Sequence, residues 1–362
     1  MKITMRVGFI YNMATEELLR ERPEMTLRDS DTIETIDEVT RALEAGGHKV
    51  TGLNADRHLP AKLAEMQFDM VFNIATGVYG ETRQAHVPAM LDYMRIPHTG
   101  PGVLGETICH HKYMQKYVFA ALGLPVAPYQ LFQSADEPLK ADLTFPLICK
   151  LPSEGASMGL DYNSVVHDET ALRERLAFLF ETYGGLVIVE KYLAGREFTV
   201  GVLGNDPPYA LPVAELEFFG QLPIRLDELE ESNFELLKQA TGRELELVRM
   251  ESVSRVPANL PAELDEQVQK LAIAAFQAAG CKDWARVDLR MDEHDKLHVL
   301  EVNLGPGIAS DCVFARMAFA KGWTFAEMVN TILNHAVERY RAAGDERINT
   351  YLGSLAMERE RA

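Results

Sequence analysis

Apolar and polar residues alternate along two neighbouring stretches in the last third of the chain, residues 285–290 and 297–303. The polar segment 292–296 separates them. This pattern predicts two antiparallel strands joined by a tight connection, because a period of two is the mark of a strand with two different faces.

The polar face of this predicted hairpin carries a candidate metal site. Arg286 and Asp288 share one face of the first strand, and Glu301 and Asn303 share one face of the second. Two carboxylates and an amide oxygen suit Mg²⁺, which fills its remaining positions with water and nucleotide phosphate oxygens. An ordinary solvated polar face is the alternative interpretation, since charged residues are common on half-exposed strands.

Strand and helix patterns alternate in the first 75 residues, which predicts an open parallel sheet. Gly77 and Gly80 follow the last of these strands, at the edge where such sheets bind ligands, so they serve either substrate positioning or turn geometry. The predicted strands are 5–11, 49–53 and 70–74, and the predicted helices are 31–45, which stops at Gly46 and Gly47, and 60–66.

The pattern changes near residue 106. His110, His111 and Lys112 are expected to open a helix that ends at residues 123–125. Adjacent residues on a helix point in different directions, so a metal role for the two histidines is not expected. The predicted inward face of this helix consists of Met114, Tyr117, Val118 and Leu122.

A short buried strand is predicted at residues 146–150, and it ends in Lys150. Small residues and glycines follow at 152–159. Such a loop can bring backbone N–H groups against phosphate oxygens, with the lysine as an added positive charge. A flexible surface loop, with the lysine reaching into solvent, is the alternative.

The next predicted strand, 186–190, leads directly into a segment with the groups that a bound purine nucleoside needs. Glu190, the backbone of 191–193 and Glu197 could supply hydrogen bonds, an apolar slot and a carboxylate for ribose hydroxyls. An ordinary strand that turns at Gly195 explains the same residues equally well.

Composition narrows the class of protein. The 362 residues are 47% hydrophobic, enough for a large core, and 54 acidic against 36 basic residues give a net charge of -18. That charge argues against nucleic acid or an anionic membrane as a partner. No signal peptide or membrane-spanning stretch is expected, so a cytoplasmic location is predicted. Neither a zinc site nor a disulfide framework is indicated by the four widely spaced cysteines, Cys109, Cys149, Cys281 and Cys312.

Taken together, five segments resemble the D-alanine–D-alanine ligases of the ATP-grasp superfamily. They occur in the family's order over about residues 70 to 340. The segments are the Lys150 strand with its loop, 189–200, 257–260, 285–288 and 301–307.

The resemblance implies a fold of three lobes, an N-terminal open parallel α/β sheet and two α+β lobes that clamp ATP. Its implied boundaries are a substrate lobe at 1–106, a central ATP-grasp lobe at 107–192, a C-terminal ATP-grasp and metal lobe at 193–345, and a tail at 346–362. Because ligases of this kind often form dimers, it also implies a homodimer.

The resemblance also implies residue roles, with ATP and two Mg²⁺ ions as cofactors and Mn²⁺ as an alternative ion. Arg286 would stabilise the acyl phosphate, and Lys238, between the adenosine segment and the hairpin, is the candidate lysine of a mobile lid. Asp288, Glu301 and Asn303 would bind the metal. The implied ATP-binding residues are Lys112 and Lys150, then Ser153, Gly155, Ser157 and Gly159 of the loop over the phosphates, and Glu190, Lys191, Leu193 and Glu197 around adenosine.

The substrate positions depart from the family pattern. The glycine pair before the family's ammonium-binding glutamate is missing, which leaves Glu16 or Glu17 as the candidate, and the second loop of that lobe retains Glu81. After the hairpin, Gly307 is followed by Asp311 and Cys312 where D-alanine ligases have a hydroxyl clamp. A small packing residue is the favoured interpretation of Cys312 over a nucleophile, since acyl-phosphate chemistry needs no thiol.

These departures predict an ATP-dependent carboxylate–amine ligase that joins an amino acid to a partner other than D-alanine, in specialised metabolism. Its partners are a small carboxylate or carbonyl compound and an amine. Three alternatives stay open: a D-alanine–D-alanine ligase of cell-wall synthesis, a ligase that activates an enol or carbonyl oxygen of a mycosporine-type precursor to form an imine, and a nucleotide-binding protein without catalysis.

Overall fold

The structure is a computed structural model that describes residues 4–21, 30–77, 79–153, 159–161, 163–218, 252–345 and 348. Within this part of the chain, the strands form three sheets of three, four and six strands. No helix in the described part is both long and apolar enough to cross a membrane.

The first sheet is parallel, as predicted, with the order β2-β1-β3. Its central strand is buried on both faces because helices cover the two sides, which explains its nearly continuous apolar sequence. The Thr32 side chain accepts a hydrogen bond from the Thr35 backbone and caps the second helix. The elements of this region are β1 Arg6–Tyr11, α1 Glu16–Glu21, α2 Ile33–Ala45, β2 Lys49–Asn54, α3 Leu59–Glu65, β3 Met70–Asn73 and α4 His86–Tyr93.

The second sheet is antiparallel, with the order β4-β7-β5-β6. The helix α7 covers one face and packs Leu172, Leu176 and Leu179 into a core with the strands. The elements are α5 Val103–His110, α6 Lys112–Ala121, β4 Tyr129–Phe132, β5 Leu147–Lys150, β6 Val165–Val166, α7 Glu169–Tyr183 and β7 Val187–Lys191.

The third sheet has the order β11-β10-β8-β12-β13, and β9 pairs with β8. The helix α8 packs on one face through Val268 and Phe276, while Phe314 and Met317 of α9 belong to the core on the other. The elements are β8 Glu197–Leu203, β9 Tyr209–Ala210, β10 Ala214–Phe218, β11 Ser252–Arg255, α8 Ala262–Ala278, β12 Trp284–Met291, β13 Leu297–Asn303, α9 Val313–Ala320 and α10 Phe325–Ala342.

Each sheet lies within one of the three predicted lobes, although α5 runs across the boundary predicted at residue 106. The lobe boundaries themselves stay predictions. The last helix, α10, reaches back to the first lobe, where Asn330 Nδ2 donates to the Ala42 carbonyl at 2.7 Å. The helices α2 and α10 are therefore packed together.

The predicted inward face of α6 was wrong for two of its four residues, although Val118 packs against the core of the third sheet. Tyr117 is 50% and Leu122 62% exposed, whereas Gln115 and Lys116 are 1% exposed. Gln115 is buried because it bonds the backbone of β13, accepting from Val302 N at 2.7 Å and donating to Val302 O at 3.2 Å. The helix therefore turns polar side chains inward, toward β13.

Candidate active site

The predicted hairpin is present as β12 and β13, which are antiparallel neighbours. Arg286 lies opposite Asn303, and Asp288 lies opposite Glu301. The register shifts directly after Asp288, where the pairing becomes irregular. A bulge of this kind re-aims side chains and is common beside active sites. The four predicted polar residues therefore meet on one face.

Asp288 is the centre of a buried network and is 4% exposed. Arg286 donates to it from Nε (3.1 Å to Oδ1) and from Nη2 (2.9 Å to Oδ2). Thr199 Oγ1 donates at 2.8 Å and Asn303 Nδ2 at 2.9 Å. The alternative interpretation of a solvated polar face is therefore wrong.

Glu301 pairs with Lys112, the first residue of α6, at 3.1 Å. Burial by itself would raise the pKa of Glu301, but the cations of Lys112, Lys150 and Arg286 outweigh burial and lower the pKa to about 2. The carboxylate is therefore ionised at neutral pH, which is the form that binds a metal.

The donor set on this face fits Mg²⁺. It offers the carboxylates of Asp288 and Glu301 and the amide oxygen of Asn303, whose nitrogen is already used as a donor to Asp288. In the described residues, no cluster of three or more His, Cys, Asp or Glu side chains could hold a metal. A metal here would therefore rely on two carboxylates, one amide and nucleotide or water oxygens, which is the usual environment of Mg²⁺.

A second charged cluster surrounds Glu190, which is 1% exposed. Its Oε2 lies 3.2 Å from Lys116 Nζ and 3.3 Å from Lys150 Nζ. Burial raises the pKa of Glu190, but the two lysines outweigh burial and lower it. Lys150 is thus held by a carboxylate, and the interpretation of a lysine reaching into solvent is wrong. Lys116 was not singled out in the sequence, because a lysine on a helix is usually exposed.

Glu190 Oε1 is buried and has no hydrogen-bond partner among the described residues. A buried acceptor without a donor costs about 1–3 kcal/mol. The exocyclic amine of adenine is a donor that could satisfy it, in line with the adenosine position expected for Glu190. The residues present therefore fit ATP as well as Mg²⁺.

The remaining adenosine positions lie close to Glu190. Leu193 is buried, and the Lys191 side chain donates to the Phe145 carbonyl at 3.2 Å. Glu197 is also buried and accepts from Arg290 Nη1 at 3.0 Å.

Arg290 holds this end of the site together. It donates to the Tyr192 hydroxyl at 3.2 Å and to the Gly195 carbonyl at 3.3 Å, in addition to its bond with Glu197. The sequence gave no sign of it, because the alternation of β12 only places its side chain on the same face as Asp288. The interpretation of an ordinary strand and turn does not account for this buried polar network.

The predicted phosphate loop is described only at its ends, Ser153 and Gly159. Gly155, Ser157 and the lid candidate Lys238 lie outside the described residues. The Lys112 backbone N–H donates to the Pro152 carbonyl at 2.8 Å, so the first residue of this loop is fixed beside α6.

The two acidic substrate candidates of the first lobe are exposed. Glu16 pairs with Arg20 at 2.8 Å, and Glu81 pairs with His111 at 3.3 Å. Both glycines proposed for turns in this lobe have positive φ, and a Cβ on Gly77 would clash with the Arg83 carbonyl. Turn geometry therefore accounts for Gly77.

The substrate candidates after the hairpin lie in one loop before α9. Cys312 is half-buried at the start of that helix, Asp311 is exposed, and a Cβ on Gly307 would lie 3.0 Å from Cys312 Sγ. The loop is held by Ser310, whose N and Oγ both donate to Glu38 of α2, at 3.0 and 2.8 Å.

A small cavity of about 20 Å³ adjoins the hairpin and has room for one water molecule. Gly305, Trp284, Thr76 and Glu106 line it. Thr76 Oγ1 is buried without a partner among the described residues. The Glu106 carboxyl has no hydrogen bond or ion pair there either, and burial raises its pKa to about 8. Sequence pattern gave no signal for this group, since its burial depends on tertiary packing.

Comparisons with known proteins agree with this geometry. The family model described as the D-ala D-ala ligase C-terminus matches residues 118–228 and 243–334. A D-alanine–D-alanine ligase of Desulforudis audaxviator is 30% identical over 308 residues, which cover 83% of this chain and 92% of that protein. An uncharacterised protein of Sinorhizobium fredii, y4sG, is 31% identical over 317 residues, which cover 85% of this chain and 89% of that protein.

Solved structures show the fold. The D-alanine–D-alanine ligase of Bacillus anthracis complexed with ATP matches with a TM-score of 0.71 at 23% identity. The matched region covers 94% of this chain and 99% of the Bacillus chain. The VanG D-Ala:D-Ser ligase of Enterococcus faecalis has a TM-score of 0.71 at 20% identity, and covers 92% and 99%. The ATP-grasp fold predicted from the sequence is confirmed.

Proposed function

This chain belongs to the D-alanine–D-alanine ligase family, and we propose that it joins an amino acid to a partner other than D-alanine. It is an ATP-dependent ligase with ATP and Mg²⁺ as cofactors. In the proposed reaction, a carboxylate oxygen takes the γ-phosphoryl group and ADP leaves. The amine nitrogen then attacks the carboxyl carbon, phosphate leaves and the nitrogen loses a proton.

The observation that supports this chemistry most strongly is the hairpin network. Asp288 and Glu301 lie opposite each other on paired strands. Asp288 accepts hydrogen bonds from Arg286 and Asn303, and Glu301 pairs with Lys112. Phosphoryl transfer asks a protein mainly for positioning and for neutralisation of charge, so no side-chain nucleophile is required.

Each group in the network has a part to play. Bound ATP supplies the phosphoryl group, and bound Mg²⁺ neutralises charge on its oxygens. Asp288, Glu301 and Asn303 would hold the metal. Arg286 and Lys112, which pair with the carboxylates here, would bind the oxygens of the transferred group. Both cations are largely buried, with side chains 13% and 17% exposed, so their charges act with little screening from water.

A partner other than D-alanine is supported by the loop before α9. Where D-alanine ligases place a hydroxyl clamp, this chain has the half-buried thiol of Cys312, and the neighbouring Ser310 is bound to Glu38. The ammonium-binding candidate Glu16 is exposed and paired with Arg20. Both substrate positions therefore differ from the arrangement that the family uses for D-alanine.

The D-alanine–D-alanine ligase of cell-wall synthesis is the competing function, and it shares all of the ATP chemistry. The imine-forming alternative shares the ATP site as well, and no residue of the described chain favours it. The alternative of a nucleotide-binding protein without catalysis is set aside, because this chain is an ATP-dependent ligase.

The proposal is tested by ADP release in the presence of ATP and Mg²⁺, with a matrix of carboxylic acids, amines and amino acids that includes D-alanine. We expect release to rise for particular acid–amine pairs and to stop when EDTA removes the metal. ADP release that does not depend on any added pair, or that continues in EDTA, would contradict the proposal.

A further inference from the structure

A cavity of about 410 Å³ opens at the carboxyl ends of the three parallel strands, and we refer to it as the edge cavity. Asn12 follows β1 directly, Asn54 ends β2, and Gly77 lies in the loop after β3; all three line the cavity. Open α/β sheets bind ligands at this edge, and metabolite pockets measure about 300–1,000 Å³. The edge cavity therefore has the position and the size of a ligand site.

The inner wall of the edge cavity is mainly apolar. Leu59 and Val87 line it and are 1% and 3% exposed, and the half-buried Leu18 and Met90 extend the same surface. Binding an apolar group of a ligand against such a wall is favourable, by about 25 cal/mol for each Å² of apolar surface removed from water. The rim carries both signs of charge, on Arg57, Glu17 and Asp56, together with the imidazole rings of His58 and His86.

One polar atom in the wall needs a partner. Asn12 is 5% exposed, and its Nδ2 donates to the Gly77 carbonyl at 3.0 Å. That bond requires the nitrogen to face Gly77, so the amide oxygen is left as an acceptor. Asn12 Oδ1 is buried and has no hydrogen-bond partner in the described part of the chain. A ligand N–H or O–H group would remove the cost of this unpaired acceptor, about 1–3 kcal/mol.

The edge cavity adjoins the space beside the hairpin. The small cavity next to Gly305 is lined by Ile74 and Thr76, and the next residue along the chain, Gly77, lines the edge cavity. One short loop after β3 therefore borders both spaces.

We propose that the edge cavity holds the side chain of the carboxylate substrate, and that this substrate is larger than alanine. It is an amino acid, or a related acid, with a mainly apolar side chain and an N–H or O–H group that donates to Asn12. A methyl side chain would leave most of the 410 Å³ without contact. The inference rests on the proposed function, because it assumes that a carboxylate is activated at the hairpin.

The test is a substitution that fills the edge cavity, Met90→Trp, compared with Tyr93→Trp. Tyr93 lies on the same helix, α4, but is 92% exposed and does not line the cavity. Each protein receives ATP, Mg²⁺, one amine and an equimolar mixture of alanine, leucine, phenylalanine and tyrosine, and mass spectrometry gives the ratio of products.

We expect the wild type and Tyr93→Trp to prefer the larger acids to alanine by at least 10-fold, and Met90→Trp to lower that ratio at least 10-fold. A wild type that uses alanine as well as the larger acids would overturn the inference. So would an unchanged ratio in Met90→Trp, provided that circular dichroism shows a folded variant.

Absence of any product would instead count against the proposed function, and binding then decides the inference separately. Calorimetric titration with the same four acids, in the presence of ATP and Mg²⁺, should show the larger acids binding to the wild type and more weakly to Met90→Trp. If no large acid binds, or if Met90→Trp binds it equally well, the edge cavity is not a side-chain site.

Discussion

At the scale of single residues, the candidate site is built from buried charges whose partners are also groups that a ligand would need. Asp288 holds Arg286, and Glu301 holds Lys112. These pairs hold the four side chains in place before any ligand is present, because an unpaired buried charge is costly. The same residues are then positioned to exchange a protein partner for metal and phosphate.

Asp288→Asn tests the metal role directly. The change keeps the size of the side chain but removes the negative charge, so we expect kcat to fall at least 100-fold, about 2.7 kcal/mol. Steady-state ADP release at several Mg²⁺ concentrations measures it. Glu293→Gln, at an exposed position in the turn of the same hairpin, is the matched control and should match the wild type. Equal activity of the two variants would remove Asp288 from the metal site.

Lys116 and Glu190 form a buried ion pair with side chains 1% and 2% exposed. Lys116→Met leaves the carboxylate with only Lys150 nearby, and breaking such a pair costs about 3–5 kcal/mol. The double variant Lys116→Met/Glu190→Gln should recover part of that loss, because the buried charge is gone. Urea unfolding of the four proteins in the cycle measures the coupling. Strictly additive free energies would show that the pair does not interact.

Glu106 makes the stability of the protein depend on pH. Burial raises its pKa to about 8 from the ordinary 4.5, so between these values the unfolded chain has lost a proton that the folded chain keeps. Its contribution to stability is therefore complete below pH 4.5 and declines as the pH rises toward 8. Glu106→Gln removes this effect. As the pH rises from 4.5 to 8, the free energy of unfolding of the variant should therefore increase relative to that of the wild type by several kcal/mol, at about 1.4 kcal/mol per pKa unit.

Urea unfolding at pH 5 and pH 8 measures that gain. The control is Glu65→Gln, at an exposed position, which should follow the wild type at both values. A constant difference between Glu106→Gln and the wild type would mean that Glu106 is ionised in the folded protein.

At the scale of elements, the loop before α9 depends on a helix of another lobe. Ser310 gives two hydrogen bonds to Glu38 on α2, so the orientation of α2 fixes the loop that carries Cys312. We call this pair of hydrogen bonds the tether, and it joins residues that are 272 positions apart in the sequence. It links the position of the first lobe to the second substrate position.

Glu38→Ala should therefore loosen the loop without touching the nucleotide. We expect KM for the amine substrate to rise several-fold and the Kd for ATP to stay the same. Glu34→Ala is the control, because Glu34 is exposed on the same helix. Steady-state kinetics and nucleotide titration measure the two constants. A rise in the ATP Kd, or no change in KM, would contradict the proposed role of the tether.

The elements that the sequence predicted well are those with a single strong period. The alternation in β12 and β13 was enough to place Asp288 and Glu301 on one face, because the period of a strand is fixed by its geometry. The alternating units of the first lobe were predicted for the same reason. The helix α6 was also predicted, but part of its inward face was not, since Gln115 and Lys116 are buried there and hydrophobic periodicity cannot detect buried polar residues.

The parts of the site that escaped prediction depend on contacts between distant segments. The buried amide of Asn12 and the buried carboxyl of Glu106 depend on such contacts, since Asn12 bonds Gly77 and Glu106 lines a cavity with Asn73 and Trp284. Arg290 is similar, because its partners Glu197 and Tyr192 lie more than 90 residues away in sequence. One-dimensional patterns contain no record of such enclosure.

At the scale of the whole molecule, a buried carboxylate joins the first and last parts of the chain. Asp283 is fully buried and accepts from Arg339 Nε of α10 at 3.0 Å. It also accepts from the Gly100 backbone at 2.9 Å and from Asn205 Nδ2 at 2.9 Å. Trp284, the next residue, begins β12. The hydrogen bonds of Asp283 therefore fix the β12–β13 hairpin relative to the first lobe.

The relative placement of the lobes explains why ATP chemistry and substrate choice can change separately. Most groups expected to contact ATP and Mg²⁺, such as Lys150, Glu190 and Asp288, lie on the second and third sheets, whereas the edge cavity lies at the first. A family member can therefore keep the hairpin and change the carboxyl edge of its first sheet.

The most direct test of the central claim is the identity of the product when D-alanine competes with other substrates. The purified protein is incubated with ATP, Mg²⁺ and an equimolar mixture of D-alanine, the common L-amino acids and a panel of small amines, and the products are identified by mass spectrometry. We predict a dominant product that contains a new C–N bond and is not D-alanyl-D-alanine. D-alanyl-D-alanine as the dominant product would contradict the account and make this chain a cell-wall ligase.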